Sequence, residues 1–294
     1  MDIRVLRYFL AVAQEESMTK AAEILHTTQP NLSRQLQELE LEVGQKLFIK
    51  GNKKTTLTEE GMFLRKRASE IVELTERTQV ELISYNKELT GTVHIGAIET
   101  YAIHMLAECM INMRKSHSSI QFDMFSGSNI ELIEMLNKGL IDFALLVAPI
   151  DLNKFDYIKL PFTDVFGVIM KKESPLAKLD TITPKDIKDK PLLVSKQQLD
   201  GNVLSSWFGK YFKDLNIVST FNLIRTPAMM VDAGLGYAFT FDKLINTSKD
   251  SSLCFRPLEP KMATELYLVW KKHQMFTKPA DIFLNYIKNV LCKE

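Results

Sequence analysis

Cysteine is scarce in this 294-residue chain, occurring only at Cys109, Cys254 and Cys292, far apart and with no CxxC pair. That excludes a disulfide framework and a cysteine-built zinc site, and each is read as a small buried apolar side chain. His94, His104 and His117 have no metal-ligand spacing and are read as singly satisfied histidines, so no metal is expected. The sequence also lacks a P-loop and a GxSxG elbow. Gly234-Leu235-Gly236 has no third glycine and precedes an apolar run, which makes it a turn rather than a dinucleotide fingerprint. No cofactor and no enzymatic activity are expected.

Excess charge of one sign is absent too. Lys and Arg number 37 against 36 Asp and Glu, so no global field favours nucleic acid. No apolar run approaches the ~18–20 residues of a membrane span. The opening stretch MDIRVLRYFLAVAQEES carries acids inside its apolar pattern and no small-residue cleavage site, so it is not read as a secretory signal. Ile3, Leu6, Phe9, Leu10 and Ala13 instead form the buried stripe of a first helix. A cytoplasmic chain of two or three globular domains is expected, at 46% hydrophobic and 25% charged residues.

The stretch from Ser17 to Gly61 is the most informative. Ser17 fits a helix N-cap, with Ala21, Ala22, Ile24 and Leu25 as the packing face. After a break at His26-Thr27-Thr28, Gln29-Pro30 opens a second helix, where proline costs no hydrogen bond. Leu32, Leu36, Leu39 and Val43 recur at four, three and four residues, giving one buried stripe that ends at Gly44. The opposite face carries Gln29, Asn31, Arg34 and Gln35, side chains suited to base edges and phosphates. A bare helix pair of this kind also suits an amphipathic pair with a solvated polar face. Here Leu47-Phe48 continues into the basic run Lys50, Gly51, Asn52, Lys53, Lys54 and then Leu57-Thr58-Glu59-Glu60-Gly61, as a hairpin wing and a further helix would.

These signatures (AA, QP, S-Q-L, LE, G-LF and LT-E-G, in order) resemble the N-terminal domain of the LysR-type transcriptional regulators. The resemblance implies a DNA-binding surface of Thr28, Gln29, Pro30, Asn31, Ser33, Arg34 and Gln35, with Lys50, Lys53 and Lys54 on the wing. Asn31 stands where the family more often has a small residue. Residues 1–58 hold eight basic and seven acidic side chains, so a single copy should bind DNA weakly, which points to an assembly presenting several copies. From Glu59 to Tyr85, Leu64, Ala68, Ile71, Thr75, Thr78, Leu82 and Tyr85 follow coiled-coil spacing; a solitary solvent-facing helix is the alternative. In the resembled family this is the dimerising linker helix.

Beyond residue 90, apolar strands alternate with helical periods, implying parallel sheets. Strands are read at 92–98, 119–127, 142–147, 165–171, 191–195, 218–224, 236–241 and 265–272, and helices at 101–113, 130–138, 202–212, 227–233 and 280–291. VHIGAIET, GLIDFALLV, K-E-SPLA and VDAGLGYAF follow the order of the family's effector-binding half. The fold class is therefore α/β, with an N-terminal all-α winged helix-turn-helix domain, a long linker helix and a two-lobed periplasmic-binding-protein-like effector domain. The boundaries expected are 1–58 for the DNA-binding domain, 59–89 for the linker, 90–161 with 267–294 for lobe I, and 162–266 for lobe II.

An effector should sit beyond the carboxyl ends of the strands, where helix N-termini offer N–H groups. Thr100, Ser126, Ser128, Asn129, Val147, Ser195, Gly201, Thr226 and Phe241 are the candidates, although plain N-capping also accounts for Thr100 and Ser128. The redox-sensing branch of the family needs a cysteine pair in lobe II, and none occurs between Ser195 and Lys213. The family implies double-stranded DNA with a promoter dyad, a small-molecule effector of unknown identity, a homodimer or homotetramer, and RNA polymerase as partners. The competing reading is a small-molecule-binding or enzymatic α/β module that its N-terminal domain merely tethers to DNA.

Overall fold

The computed structural model describes residues 1–51, 54–84, 90–200 and 203–291. The chain divides into two compact units, residues 1–86 and 87–294.

In the first unit, helix α1 (Ile3–Glu15) starts at Asp2, whose carboxylate accepts the Arg4 N–H at 2.7 Å, and ends at Glu16 in the left-handed conformation. Helix α2 (Met18–Ile24) is capped by Ser17, and α3 (Gln29–Val43) by Thr28. Gly44, at φ +70°, ends α3 where an L side chain would be strained. Val5, Leu6, Phe9, Ala21, Leu32, Leu36 and Leu39 are buried together, and the Phe9 and Phe48 rings meet at 5.2 Å. Strands β1 (Phe48–Lys50) and β2 (Thr55–Leu57) pair antiparallel as the wing. Helix α4 (Glu59–Ser84) follows.

The coiled-coil seam needs correction at its start. Leu64 and Ala68 are buried in the core of their own unit, so they are not free to face a second copy. Ile71, Leu74 and Leu82 are exposed, whereas Thr75 and Thr78 donate their hydroxyls to the carbonyls of Ile71 and Leu74. Tyr85 lies outside the described residues.

Glu40 fastens the wing to α3. Its Oε1 accepts the N–H groups of Leu47 (2.8 Å) and Phe48 (3.3 Å), and its Oε2 meets Lys46 Nζ at 2.8 Å. Burial pushes this carboxyl up, but the Lys46 ammonium and the two N–H groups outweigh it and hold it below the usual value. A group depressed on folding stabilises above its unfolded pKa and loses that contribution as pH falls through the folded one. Glu40→Ala should cost about 1–3 kcal/mol by orphaning the two N–H groups. In chemical-denaturation curves, the gap between wild type and Glu40→Gln should be full at neutral pH and shrink as pH drops below 4.5. A gap that stays constant down to strong acid would show that the carboxylate charge is irrelevant.

The second unit begins with β3 (Gly91–Ala97), α5 (Ile103–Ser116), β4 (Ile120–Ser126), α6 (Asn129–Lys138), β5 (Phe143–Val147) and β6 (Phe155–Lys171). It continues with α7 (Pro184–Ile187), β7 (Leu192–Ser195), α8 (Lys196–Asp200), α9 (Val203–Phe208), β8 (Ile217–Phe221), α10 (Arg225–Asp232) and β9 (Tyr237–Phe241). It closes with β10 (Leu253–Pro257), β11 (Ala263–Lys271) and α11 (Lys278–Leu291).

One sheet runs β4-β3-β5-β11-β6-β9-β7-β8, with β10 paired to β6. Strands β3, β4 and β5 are mutually parallel, as are β7, β8 and β9, while β6, β10 and β11 run antiparallel. The sheet is thus mixed rather than purely parallel. Lobe I is packed around Val93, Ile95, Leu106, Phe143, Leu268 and Phe283. Lobe II buries Val168, Leu192, Trp207, Phe208 and Phe239 on one sheet face and Ile169, Leu193, Val231 and Ala238 on the other. β6 and β11 cross between the lobes.

Several elements differ from the sequence expectation. β6 begins ten residues before the expected strand, because its first half is largely exposed and shows no apolar run. β10 and α8 were not expected. The helix read at 202–212 breaks at Gly209 (φ +53°) into a 3-10 turn. α5 starts at Ile103 rather than 101, after a turn in which Ala102 N–H donates to Thr100 Oγ1. Cys109 and Cys254 are buried free thiols, burial pushing Cys109 up to about 11. Among the described residues there is no helix long and apolar enough to cross a membrane and no group of His, Cys, Asp and Glu able to hold a metal.

Candidate functional site

The first candidate surface is the outer face of α3. With Leu32, Leu36 and Leu39 turned inward, Gln29, Pro30 and Arg34 are exposed and Ser33 and Gln35 half-buried. Thr28 Oγ1 accepts the Asn31 N–H at 3.4 Å, so this hydroxyl caps the helix. Asn31 is half-buried and engaged: its Nδ2 donates to Thr27 Oγ1 at 3.0 Å, and its Oδ1 accepts from Arg34 Nη2 at 3.4 Å.

Glu38, which the sequence reading did not single out, accepts from Gln35 Nε2 at 3.0 Å and lies 3.9 Å from Arg34 Nε. Its place one turn after Arg34 was the available signal. Any base or phosphate contact by Arg34 and Gln35 competes with Glu38. On the wing, Lys54 pairs with Glu16, and this ammonium holds the Glu16 carboxyl below its usual range. Lys53 and the Lys50 side chain lie outside the described residues.

The second candidate site is a cavity of about 580 Å³ between lobes I and II. Ser128, Asn129, Val147, Ser195 and Phe241 line it. Thr100, Ser126 and Thr226 do not, and Gly201 lies outside the described residues. Thr100 is 2% exposed. Its hydroxyl accepts from Ala102 N–H in the turn before α5. Burial pushes Asp164 up, which the neighbouring Thr100 hydroxyl partly offsets. Ser126 is exposed at the end of β4, and Thr226 is exposed in the first turn of α10. Ser128 builds a capping box with Glu131, its N–H and its hydroxyl both donating to Glu131 Oε2 at 2.8 Å.

Two side chains bridge the lobes across this cavity. Glu99, just after β3, accepts the Ile224 N–H at the entry of α10 at 2.6 Å. Gln197, on α8, accepts the Asn129 N–H at the start of α6 at 3.0 Å. Each lobe thus ligates a helix N-terminus of the other, where free N–H groups were expected. Burial raises Glu99 above the usual carboxylate range, and the Ile224 N–H offsets only part of this. The sequence reading passed over Glu99 and did not single out Gln197, which falls inside the candidate stretch 195–201. An acid immediately after the buried strand 92–98 was a usable signal for the first; α8 gave no periodicity to reveal the second.

Two family profiles match the chain. One, described as "Bacterial regulatory helix-turn-helix protein, lysR family", covers residues 3–62, and the other, "LysR substrate binding domain", covers residues 86–292. Among similar proteins is the "HTH-type transcriptional regulator BsdA" of Bacillus subtilis (strain 168). It is 30% identical over 294 residues, spanning 97% of this chain and 99% of that one. The "Hca operon transcriptional activator HcaR" of Escherichia coli (strain K12) is 28% identical over 287 residues, spanning 95% and 94%. Among solved structures, full-length CbnR complexed with its target DNA has a TM-score of 0.74 at 17% identity, covering 98% of this chain and 99% of that one, a likeness of fold.

Proposed function

The chain belongs to the LysR family of DNA-binding transcription regulators with an effector-binding domain, and from that membership we propose that it works in the cytoplasm as a homo-oligomer, reading a dyad-symmetric site under control of a small ligand in the interlobe cavity. The observation that carries this reading is the face of α3, where Gln29, Pro30 and Arg34 stand exposed over a buried leucine stripe, with a hairpin wing following in the same unit. The exposed Ile71, Leu74 and Leu82 of α4 support pairing between copies, and two copies supply the phosphate contacts that one near-neutral head lacks. RNA polymerase is a further partner consistent with activator relatives. The Ser128 hydroxyl and Glu131 carboxylate that line the cavity are engaged in capping α6, which supports binding over turnover. Ligand must bind one arrangement of the lobes better than another to act on DNA, and DNA must then change ligand affinity by the same factor.

Particle mass and footprinting test this together. A dimer or tetramer protecting two symmetric half-sites is the expected result; a monomer protecting a single patch would overturn it.

The wing gives a separate expectation. Because Lys54 is tied to Glu16, phosphate must displace that carboxylate. Glu16→Gln should therefore raise affinity a few-fold on specific and random DNA alike, and steepen the salt slope by up to about one. Anisotropy titrations over a salt series read both quantities. Unchanged affinity and slope would place Lys54 off the DNA.

A further inference from the structure

The chemistry of the interlobe cavity bears on what it accepts. This inference rests on the reading that the cavity is the effector site. We propose that Glu99 selects the effector by charge, so that the cavity takes a small apolar ligand carrying a protonated amine and rejects carboxylates.

The cavity's walls are mostly apolar, including Ile98, Val147, Phe166, Phe239 and Phe241, with the Phe166 and Phe241 rings 4.5 Å apart. Its charged lining residues are Glu99, Glu131 and Lys196, with no arginine among them. Glu131 is committed to capping α6 through Ser128. Lys196 is exposed at the start of α8, where water screens it.

Glu99 differs from both. It is half-buried, lies opposite no cation among the described residues, and keeps a second oxygen unbonded while the first accepts the Ile224 N–H. At the N-termini of α10 and α6 the first N–H facing the cavity is already taken, that of Ile224 by Glu99 and that of Asn129 by Gln197. A carboxylate ligand would find those N–H groups taken and a like charge beside them. An ammonium group would instead neutralise a desolvated carboxylate, while its apolar body covers the phenylalanines. The raised pKa of Glu99 fits a carboxylate that lacks its counter-ion.

The test uses two probes of similar shape, 2-phenylethylamine and 3-phenylpropionate, titrated calorimetrically into the full-length protein. The amine should bind at least about tenfold more tightly. In Glu99→Gln, whose carbonyl oxygen still accepts the Ile224 N–H, that preference should collapse. Thr220→Trp, at an exposed lining position of β8, should fill the cavity and abolish binding. If the carboxylate binds as tightly as the amine and Thr220→Trp removes it, the cavity reading stands and the charge selection falls. If the amine preference survives in Glu99→Gln, Glu99 is not its source. If amine binding survives Thr220→Trp, the probe sits elsewhere, and the cavity reading fails along with the inference. Binding of neither probe overturns the amine class.

Discussion

Gly61→Ala should abolish DNA binding and lower the melting midpoint of the N-terminal unit. A Cβ at this position would lie 2.2 Å from the Leu47 carbonyl oxygen and 3.0 Å from Leu57 Cδ2. The carbonyl cannot retreat cheaply, because it accepts the Thr58 N–H at 3.0 Å, and the Leu47 N–H is held by Glu40 at 2.8 Å. Gly61 N–H itself donates to Thr58 Oγ1, which starts α4. The methyl group therefore pushes α4 off the wing or breaks the bond that sets the wing's base. Overpacking costs about 1–3 kcal/mol and a lost backbone bond about 1 more, against a domain stability of roughly 5–15 kcal/mol. Melting curves and DNA titrations of the full chain read the effect. A Gly61→Ala protein that melts and binds as wild type does would show that the clash relaxes at no cost.

Asn129→Ala should be the most damaging change at the cavity. Asn129 Nδ2 donates to the Val147 carbonyl at 2.6 Å, and its Oδ1 accepts the Val147 N–H at 3.2 Å, so one buried amide completes the end of β5. Alanine leaves both backbone groups unsatisfied at about 1–3 kcal/mol each. The same residue supplies the N–H that Gln197 grips across the cavity, so its loosening also weakens a lobe-to-lobe bridge. Asn129→Asp should be destabilising as well, because a carboxylate oxygen then faces the Val147 carbonyl. Gln197→Ala, by contrast, removes only the bridge and should leave stability within about 1 kcal/mol of wild type. Equal stability of Asn129→Ala and Gln197→Ala would contradict this division of roles.

The N-terminal unit was legible because its signals are local. Caps at Ser17 and Thr28, the leucine period of α3 and the stop at Gly44 each act within a few residues. The two-lobed α/β architecture was equally visible in alternating strands and helices. What escaped depends on contacts distant in sequence. Thr100 lies in the right segment, yet it is buried beside Asp164, 64 positions later, and does not line the cavity. Leu64 and Ala68 keep coiled-coil spacing, but α1 and the wing claim them first. β6 crosses from one lobe to the other with an exposed first half, and such a strand has no period to read. Glu99 was passed over because a single acid after a strand is ordinary until Ile224 is known to face it.

Selection of bound fragments from a random DNA pool by the purified full-length protein tests the central claim most directly, when repeated with Arg34→Ala. Wild type should enrich an inverted repeat whose half-sites lie a whole number of helical turns apart. Arg34→Ala should lose about 1–3 kcal/mol on that sequence and far less on random DNA. Enrichment of no common sequence by the wild type, or an equal loss by the variant on every sequence, would contradict base reading by α3.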